Sequence, residues 1–260
     1  MRRTGMRAAR GTLPGILDMI VGCRAAGTVA RGNVEIVRRR SERVLCLVAG
    51  VLILVPTVDV LMSGPLRSWD RRLMLGPGGL EATGWAHLFW RVVVMGGQFW
   101  LVGSVVTVTA AIVAFRRRSL RLFAAFGAWI IVVNVVVQVF KLLVGRTAPH
   151  SGTDVLHAGT LSYPSGHAAL GAACLLMTAA LLGPGLAPRT ARRVTLAAHV
   201  LAAAAALATV LLAYHWPTDS LAGWALGVLL GVTGRHAVAG PAGRKSPSPG
   251  AVTMTAPGDG

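Results

Sequence analysis

Apolar residues in this chain gather into six runs separated by short polar or arginine-rich segments. Crossing roughly 30 Å of hydrocarbon takes about 20 helical residues, so uncharged apolar runs of that order predict membrane spans. The runs are Val44 to Met62, His87 to Phe115, Leu120 to Leu143, Ala168 to Leu182, Val194 to Tyr214 and Ser220 to Thr233. The fourth and sixth are short and must borrow flanking residues. The pattern predicts an all-α integral membrane bundle of six transmembrane helices, occupying residues 43 to 236. Residues 1 to 42 read as a basic, poorly ordered cytoplasmic tail. Residues 237 to 260, rich in Pro, Gly and Ser, read as a disordered cytoplasmic tail.

Composition agrees with a membrane protein. Of 260 residues, 54% are hydrophobic and only 13% charged, about half the charged share of an average soluble domain. Lys and Arg number 26 against 9 Asp and Glu, a net charge of +17, which in a soluble protein would suggest nucleic acid. The positions of those charges make them mostly a topology signal, and a nucleic-acid-binding membrane anchor would require residues 1 to 42 to bind polyanions with a steep salt dependence. With the N-terminus in the cytoplasm, 20 of the 26 basic residues fall on the inside, at Arg2 to Arg43, Arg116 to Arg121, Arg189 to Arg193, Arg235, Arg244 and Lys245. The positive-inside rule therefore predicts N-in, C-in, and no nucleic-acid partner is expected. The implied location is the cell membrane, as a multi-pass protein.

Three cysteines, Cys23, Cys46 and Cys174, give an odd count, two of them inside apolar runs, so no disulfide framework and no zinc site is indicated. The stretch Leu13 to Cys23 contains Asp18 and leads into more arginines, which does not fit a cleaved signal. Small residues crowd the fourth and fifth runs, at Ala168 to Ala173 and Ala202 to Ala206. Small faces permit close helix contact in lipid, so these two spans are expected at the centre of the bundle.

Polar groups near membrane depth are costly and carry a functional hypothesis by default. Three segments on the predicted outer side carry them: Lys141 and Arg146; Ser165, Gly166 and His167; His215 and Asp219. Two histidines, two cations, a serine and a carboxylate at one face suit phosphoryl transfer without a metal. That transfer is mostly positioning and electrostatic stabilisation of charge spread over the equatorial oxygens. Lys141, Arg146, the Ser165 hydroxyl and the backbone N–H groups at Gly166 are candidate phosphate ligands, since a helix N-terminus favours an anion. For Lys141 and Arg146, snorkelling at the interface is the competing explanation. His215 is the candidate nucleophile, with Asp219 accepting its other ring N–H, and His167 the candidate general acid and base. No cofactor is implied.

Other polar sets stay open. Asn134, Gln138 and Lys141 share one face of the third span, as a stripe towards the site or as interhelical hydrogen-bond groups. Asp59 either pairs with a site cation or meets interfacial water. His150, Asp154 and His157 are spaced too irregularly for a metal and read as loop residues. His199, inside the fifth span, reads as a packing or hydrogen-bonding residue. The segment Trp69 to Trp85 is expected to lie along the outer surface as an interfacial helix.

The motifs resemble those of the type 2 phosphatidic acid phosphatases, or lipid phosphate phosphatases, over about residues 44 to 234. That family's signature is K-x6-R-P, then P-S-G-H, then S-R-x5-H-x3-D. The chain has Lys141-Leu-Leu-Val-Gly-Arg-Thr-Ala-Pro149, then Pro164-Ser165-Gly166-His167, then Ala208-Thr209 followed by His215-Trp-Pro-Thr-Asp219. Two family arginines are absent: Ala148 and Thr209 stand in their places, and Arg146 matches a position where members often carry an extra one. The resemblance implies a metal-independent membrane phosphohydrolase. It would act on a lipid phosphate or polyprenyl (pyro)phosphate at the extracytoplasmic face through a phosphohistidine. The alternative is a family member that binds or moves lipids without hydrolysis. That family also resembles the vanadate-dependent haloperoxidases at these motifs, but those are soluble and need full oxyanion coordination.

Overall fold

The computed structural model describes residues 40–77 and 79–239. The two expected tails lie almost entirely outside them. All regular structure among the described residues is helical: α1 Arg40–Leu61, α2 Pro65–Leu75, α3 Gly84–Val94, α4 Phe99–Arg116, α5 Leu120–Val144, α6 Gly166–Leu182, α7 Pro188–Leu211 and α8 Pro217–Ala239. Six segments are long and apolar enough to cross a membrane, at Arg40–Leu61, Gly84–Arg116, Leu120–Ser151, Gly166–Gly185, Pro188–Leu211 and Pro217–Val238. The chain is a multi-pass membrane protein. Contacts divide it at Leu47 and Val48, inside α1, and the architecture below concerns the unit from Val48 onward.

The second span is two helices. A 3₁₀ turn at Met95–Gly97 separates α3 from α4, and the lack of a side chain at Gly97 is what lets the turn approach α6. A Cβ there would lie 2.9 Å from the carbonyl oxygen of His167.

Of the two spans expected at the centre, the fourth, α6, lies there, but its closest partner is α8 and not the fifth span, α7. α6 and α8 each bury 56% of their apolar window, against 39% for α7. The cause is Gly223, Gly227 and Gly231, one helical turn apart on α8. A Cβ on Gly223 would meet the Ser165 carbonyl oxygen at 2.5 Å, and one on Gly227 the Ala169 carbonyl oxygen at 2.2 Å. Ala169, Ala172 and Ala173 of α6 are fully buried at this contact, which is the close small-on-small packing that lipid surroundings favour. Outward faces stay apolar, as at Leu54, Val108 and Leu142, and suit lipid chains.

Chain ends of odd-numbered spans share one side of the bundle. Segments 62–83, 145–165 and 212–216 therefore gather there, and the arginines at 116–121 and 189–193 lie at the opposite end.

The interfacial segment is also corrected. Helix in that region is α2, which stops at Leu75, and it is no loose surface helix: its Arg67 and Asp70 are buried at 6% and 0% exposure. Trp69 and Trp85 do face outward.

Candidate active site

Helix α5 ends at Gly145, whose φ of 55° gives the left-handed turn that starts the loop over 145–165. Loop backbone pairs hold it folded back: the Thr147 amide donates to Val155, that of His157 to Val144, and that of Ser162 to Arg146. Ser165 caps α6, its hydroxyl accepting from the Ala168 amide at 3.4 Å. The Ser165 amide in turn donates 2.9 Å to the Asp219 carbonyl. P-S-G-H and H-x3-D are thereby bonded backbone to backbone.

After α7 the chain turns through Ala213, and the Tyr214 and His215 amides both donate to the Thr209 carbonyl. This turn presents His215 beside the start of α8. Pro217 opens that helix, where a missing N–H costs nothing. Asp219 sits in its first turn and accepts from the Trp216 amide at 3.4 Å, a favourable place for a carboxylate.

The structure brings the expected His215 and Asp219 together through a third residue. Ser162 Oγ donates to Asp219 Oδ2 at 2.6 Å and lies 3.2 Å from His215 Nδ1. The direct His215 Nδ1 to Asp219 Oδ2 distance is 3.8 Å, too long for a hydrogen bond. Because Ser162 donates its proton to the carboxylate, its oxygen accepts from Nδ1–H, which leaves the Nε2 lone pair of His215 free. Ser162 was not marked by any motif. His167 faces His215 with ring centroids 6.3 Å apart, and its Nε2 is buried with no hydrogen-bond partner among the described residues.

Lys141 reaches the same place. Its Nζ donates to the Leu161 carbonyl, and a Cβ on Gly166 would sit 3.5 Å from Lys141 Cε. Gly166 leaves the first turn of α6 open beneath the lysine.

Arg146 is placed differently from a free phosphate ligand. It is fully buried. Nη1 contacts Asp219 Oδ1 at 2.8 Å, Asp70 Oδ2 at 2.9 Å and Thr218 Oγ1 at 2.9 Å, and Nε binds Asp154 Oδ1 at 2.9 Å. Its guanidinium carbon also lies 4.7 Å over the Trp216 ring, whose Nε1 donates 2.7 Å to the Thr147 carbonyl. Arg67 adds a second cation, with Nε 2.8 Å from Asp154 Oδ2. Two guanidiniums and three carboxylates thus form one buried network.

Outside the spans this network moves two acids in opposite directions. Burial pushes Asp70 up to about 6, despite the hydrogen bond from Thr218 and the charge of Arg146. Burial acts the same way on Asp154, but hydrogen bonds from Arg146 and Arg67 outweigh it and hold that carboxyl below its ordinary value. Burial also raises the Tyr163 phenol, whose oxygen lies 2.7 Å from Thr57 Oγ1.

The two positions without family arginines hold short side chains. Thr209 is fully buried and its Oγ1 bonds the Ala206 carbonyl and Ser220 Oγ, each at 2.7 Å. Ala148 is partly exposed. The Asp59 carboxylate accepts from the Leu66 and Arg67 amides and so caps α2. Asn134 bonds back to the Ile130 carbonyl and Gln138 faces outward, so no polar stripe leads to the site. His150 and His157 are exposed loop residues, and no group of three or more potential metal ligands occurs among the described residues.

Three comparisons bear on this arrangement. Residues 122–240 match the profile described as PAP2 superfamily. The fold is similar to the crystal structure of a transmembrane PAP2 type phosphatidylglycerolphosphate phosphatase from Bacillus subtilis. That similarity has a TM-score of 0.58 at 22% identity and covers 72% of this chain and 94% of that one. No curated protein matches the chain. The matched residues 122–240, under half of the chain, carry the intact P-S-G-H and H-x3-D and the lysine of the first motif.

Proposed function

We propose that the protein is a metal-independent phosphohydrolase that removes phosphate from a lipid phosphate or polyprenyl (pyro)phosphate at the extracytoplasmic face. The observation that carries the reading is the line Asp219, Ser162, His215, with His167 across from it at 6.3 Å between ring centroids. Orientation N-in, C-in is supported by the arginine clusters at the end of the bundle away from these residues.

In this mechanism His215 Nε2 attacks phosphorus and the bond to the leaving oxygen breaks. His167 gives that oxygen its proton. Asp219, through Ser162, holds Nδ1 protonated and compensates the positive charge that grows on the ring. His167 then takes a proton from water, which attacks the phosphohistidine and releases phosphate. Lys141, the Ser165 hydroxyl and the amides at Gly166 face the phosphoryl oxygens. Arg146 serves the phosphate at one remove, by fixing Asp219. A membrane-embedded site suits a substrate whose chains stay in the bilayer.

The test is phosphate release by detergent-purified protein in EDTA, over a panel of lipid phosphates and pyrophosphates, for wild type, His215→Ala and His167→Ala. Release that survives EDTA and is lost in both variants is expected. A wild type no more active than the variants overturns the reading. It would favour a second one, lipid binding or movement without hydrolysis, to which Thr209 and Ala148 lend support because neither supplies the bidentate fork that arginine offers a phosphate.

A further inference from the structure

Asp70 belongs to no motif, lies before the matched segment 122–240, and sits on an 11-residue helix between exposed Trp69 and Arg71. Such a residue is ordinarily solvated. Here its side chain has no exposure at all, and burial of a carboxylate is costly unless partners compensate. It shares Arg146 with Asp219. Oδ2 lies 2.9 Å from Arg146 Nη1 and accepts the Thr218 hydroxyl, while Oδ1 accepts the Thr218 amide at 3.2 Å. Thr218 adjoins Asp219, and Nη1 is the same nitrogen that binds Asp219 Oδ1.

From this geometry we infer that Asp70 is a positioning residue for Asp219 and His215, acting through Arg146 and Thr218. Nη1 has two hydrogens for three acceptors: Asp70, Asp219 and Thr218. Asp70 draws part of the guanidinium charge to itself, so Asp219 keeps enough negative charge to support the cationic ring of His215. By holding the Thr218 amide and hydroxyl, it also fixes the first turn of α8, from which Asp219 projects. The charged or titratable groups around this point are Arg146, Asp154 and Tyr163 from the loop, Asp219 from α8, Arg67 from α2, Lys141 from α5, and His215 and His167 across Ser162.

The inference rests on the nucleophilic role proposed for His215. Its test compares kcat and KM against pH for full-length wild type, Asp70→Asn and His215→Ala, on the lipid phosphate that wild type cleaves fastest. Asparagine keeps the acceptor for the Thr218 amide and removes the charge. For Asp70→Asn the expected result is a kcat roughly 3- to 30-fold lower, KM within about twofold, and an acid limb of kcat/KM displaced to lower pH. The substitution withdraws one anion from the network around Arg146 and Asp219, which is what moves the limb; the substrate's own ionisation is common to both enzymes.

A profile that superimposes on wild type overturns the inference while leaving the nucleophile assignment intact. Activity retained in His215→Ala overturns both. Should Asp70→Asn fail to fold, Thr218→Val removes the hydroxyl shared by Asp70 and Arg146; it is expected to lower kcat in the same range with the limb unmoved, and an unchanged kcat overturns the inference.

Discussion

Arg146 Nη1 and Asp219 Oδ1 stand 2.8 Å apart with neither side chain exposed. The pair is buried charge on buried charge, and its partners Asp70 and Asp154 are buried as well. Removing one member of such a network costs more than the network contributes, because the remaining charges stay desolvated. Arg146→Ala is expected to destabilise the fold by roughly 3 to 5 kcal/mol. Arg146→Lys should fall between it and wild type, since an ammonium keeps the charge but cannot fork between Asp154 and Asp219. Unfolding midpoints of the three proteins in one detergent check this; an Arg146→Ala midpoint equal to wild type would contradict it.

In the proposed mechanism Ser162 fixes the His215 tautomer. Ser162→Ala leaves Asp219 and His215 3.8 Å apart with no bridge. Losing a charge-assisted hydrogen bond of about 1 to 2 kcal/mol should lower kcat roughly 5- to 30-fold, with KM little changed. Steady-state kinetics on the preferred lipid phosphate decide it, and an unchanged kcat would remove Ser162 from the mechanism.

Stability should respond to acid in two opposite ways. Burial raises Asp70 to about 6, so the folded protein holds that proton more tightly than the unfolded chain, and the contribution of Asp70 falls as pH rises from about 4 to about 6. The melting temperature of wild type minus that of Asp70→Asn should therefore be greatest near pH 4 and level off above pH 6. Asp154 is held below its ordinary value; its contribution is present above about pH 4 and lost only as pH falls further. Wild type minus Asp154→Asn should accordingly be flat from pH 4 to 8. Melting curves across that range test both, and a difference for Asp70 that grows with pH would contradict the first.

The α6–α8 contact predicts a contrast between two glycines. A Cβ on Gly227 would lie 2.2 Å from the Ala169 carbonyl oxygen, a backbone atom that cannot rotate away. Gly227→Ala should separate the helices and cost about 1 to 3 kcal/mol. Gly127, on α5, has nothing within 4 Å of such a Cβ. Gly127→Ala should be neutral or stabilising by about 0.5 to 1 kcal/mol. Thermal unfolding in detergent separates the two, and equal midpoints would count against the packing argument.

Much of this was legible in the sequence, for identifiable reasons. Span existence follows from apolar length alone, and all six expected runs coincide with apolar helices. P-S-G-H and H-x3-D are short motifs whose residues act within one turn of each other, so spacing alone marks them. Ser162, Thr218 and Asp70 lie 53 to 148 positions from the residues they bind or link, and nothing in local pattern says which buried polar groups will meet. Asp70 in particular lies among Arg67, Arg71 and Arg72, as a solvated residue would. The central helix pair did carry a signal, the four-residue spacing of Gly223, Gly227 and Gly231, but alanine content pointed to the fifth span instead.

Thr57 touches Tyr163, Arg67 touches Asp154 and Asp70 touches Thr218. Each of these three bonds joins a residue before position 122 to one inside the matched segment 122–240. The segment that bears the motifs therefore draws hydrogen-bond partners from outside itself. Grafted alone into another membrane scaffold, it would bring its histidines but leave Asp154, Tyr163 and Thr218 without those partners. Transplanting the chemistry requires the hairpin of α1 and α2 to travel with it.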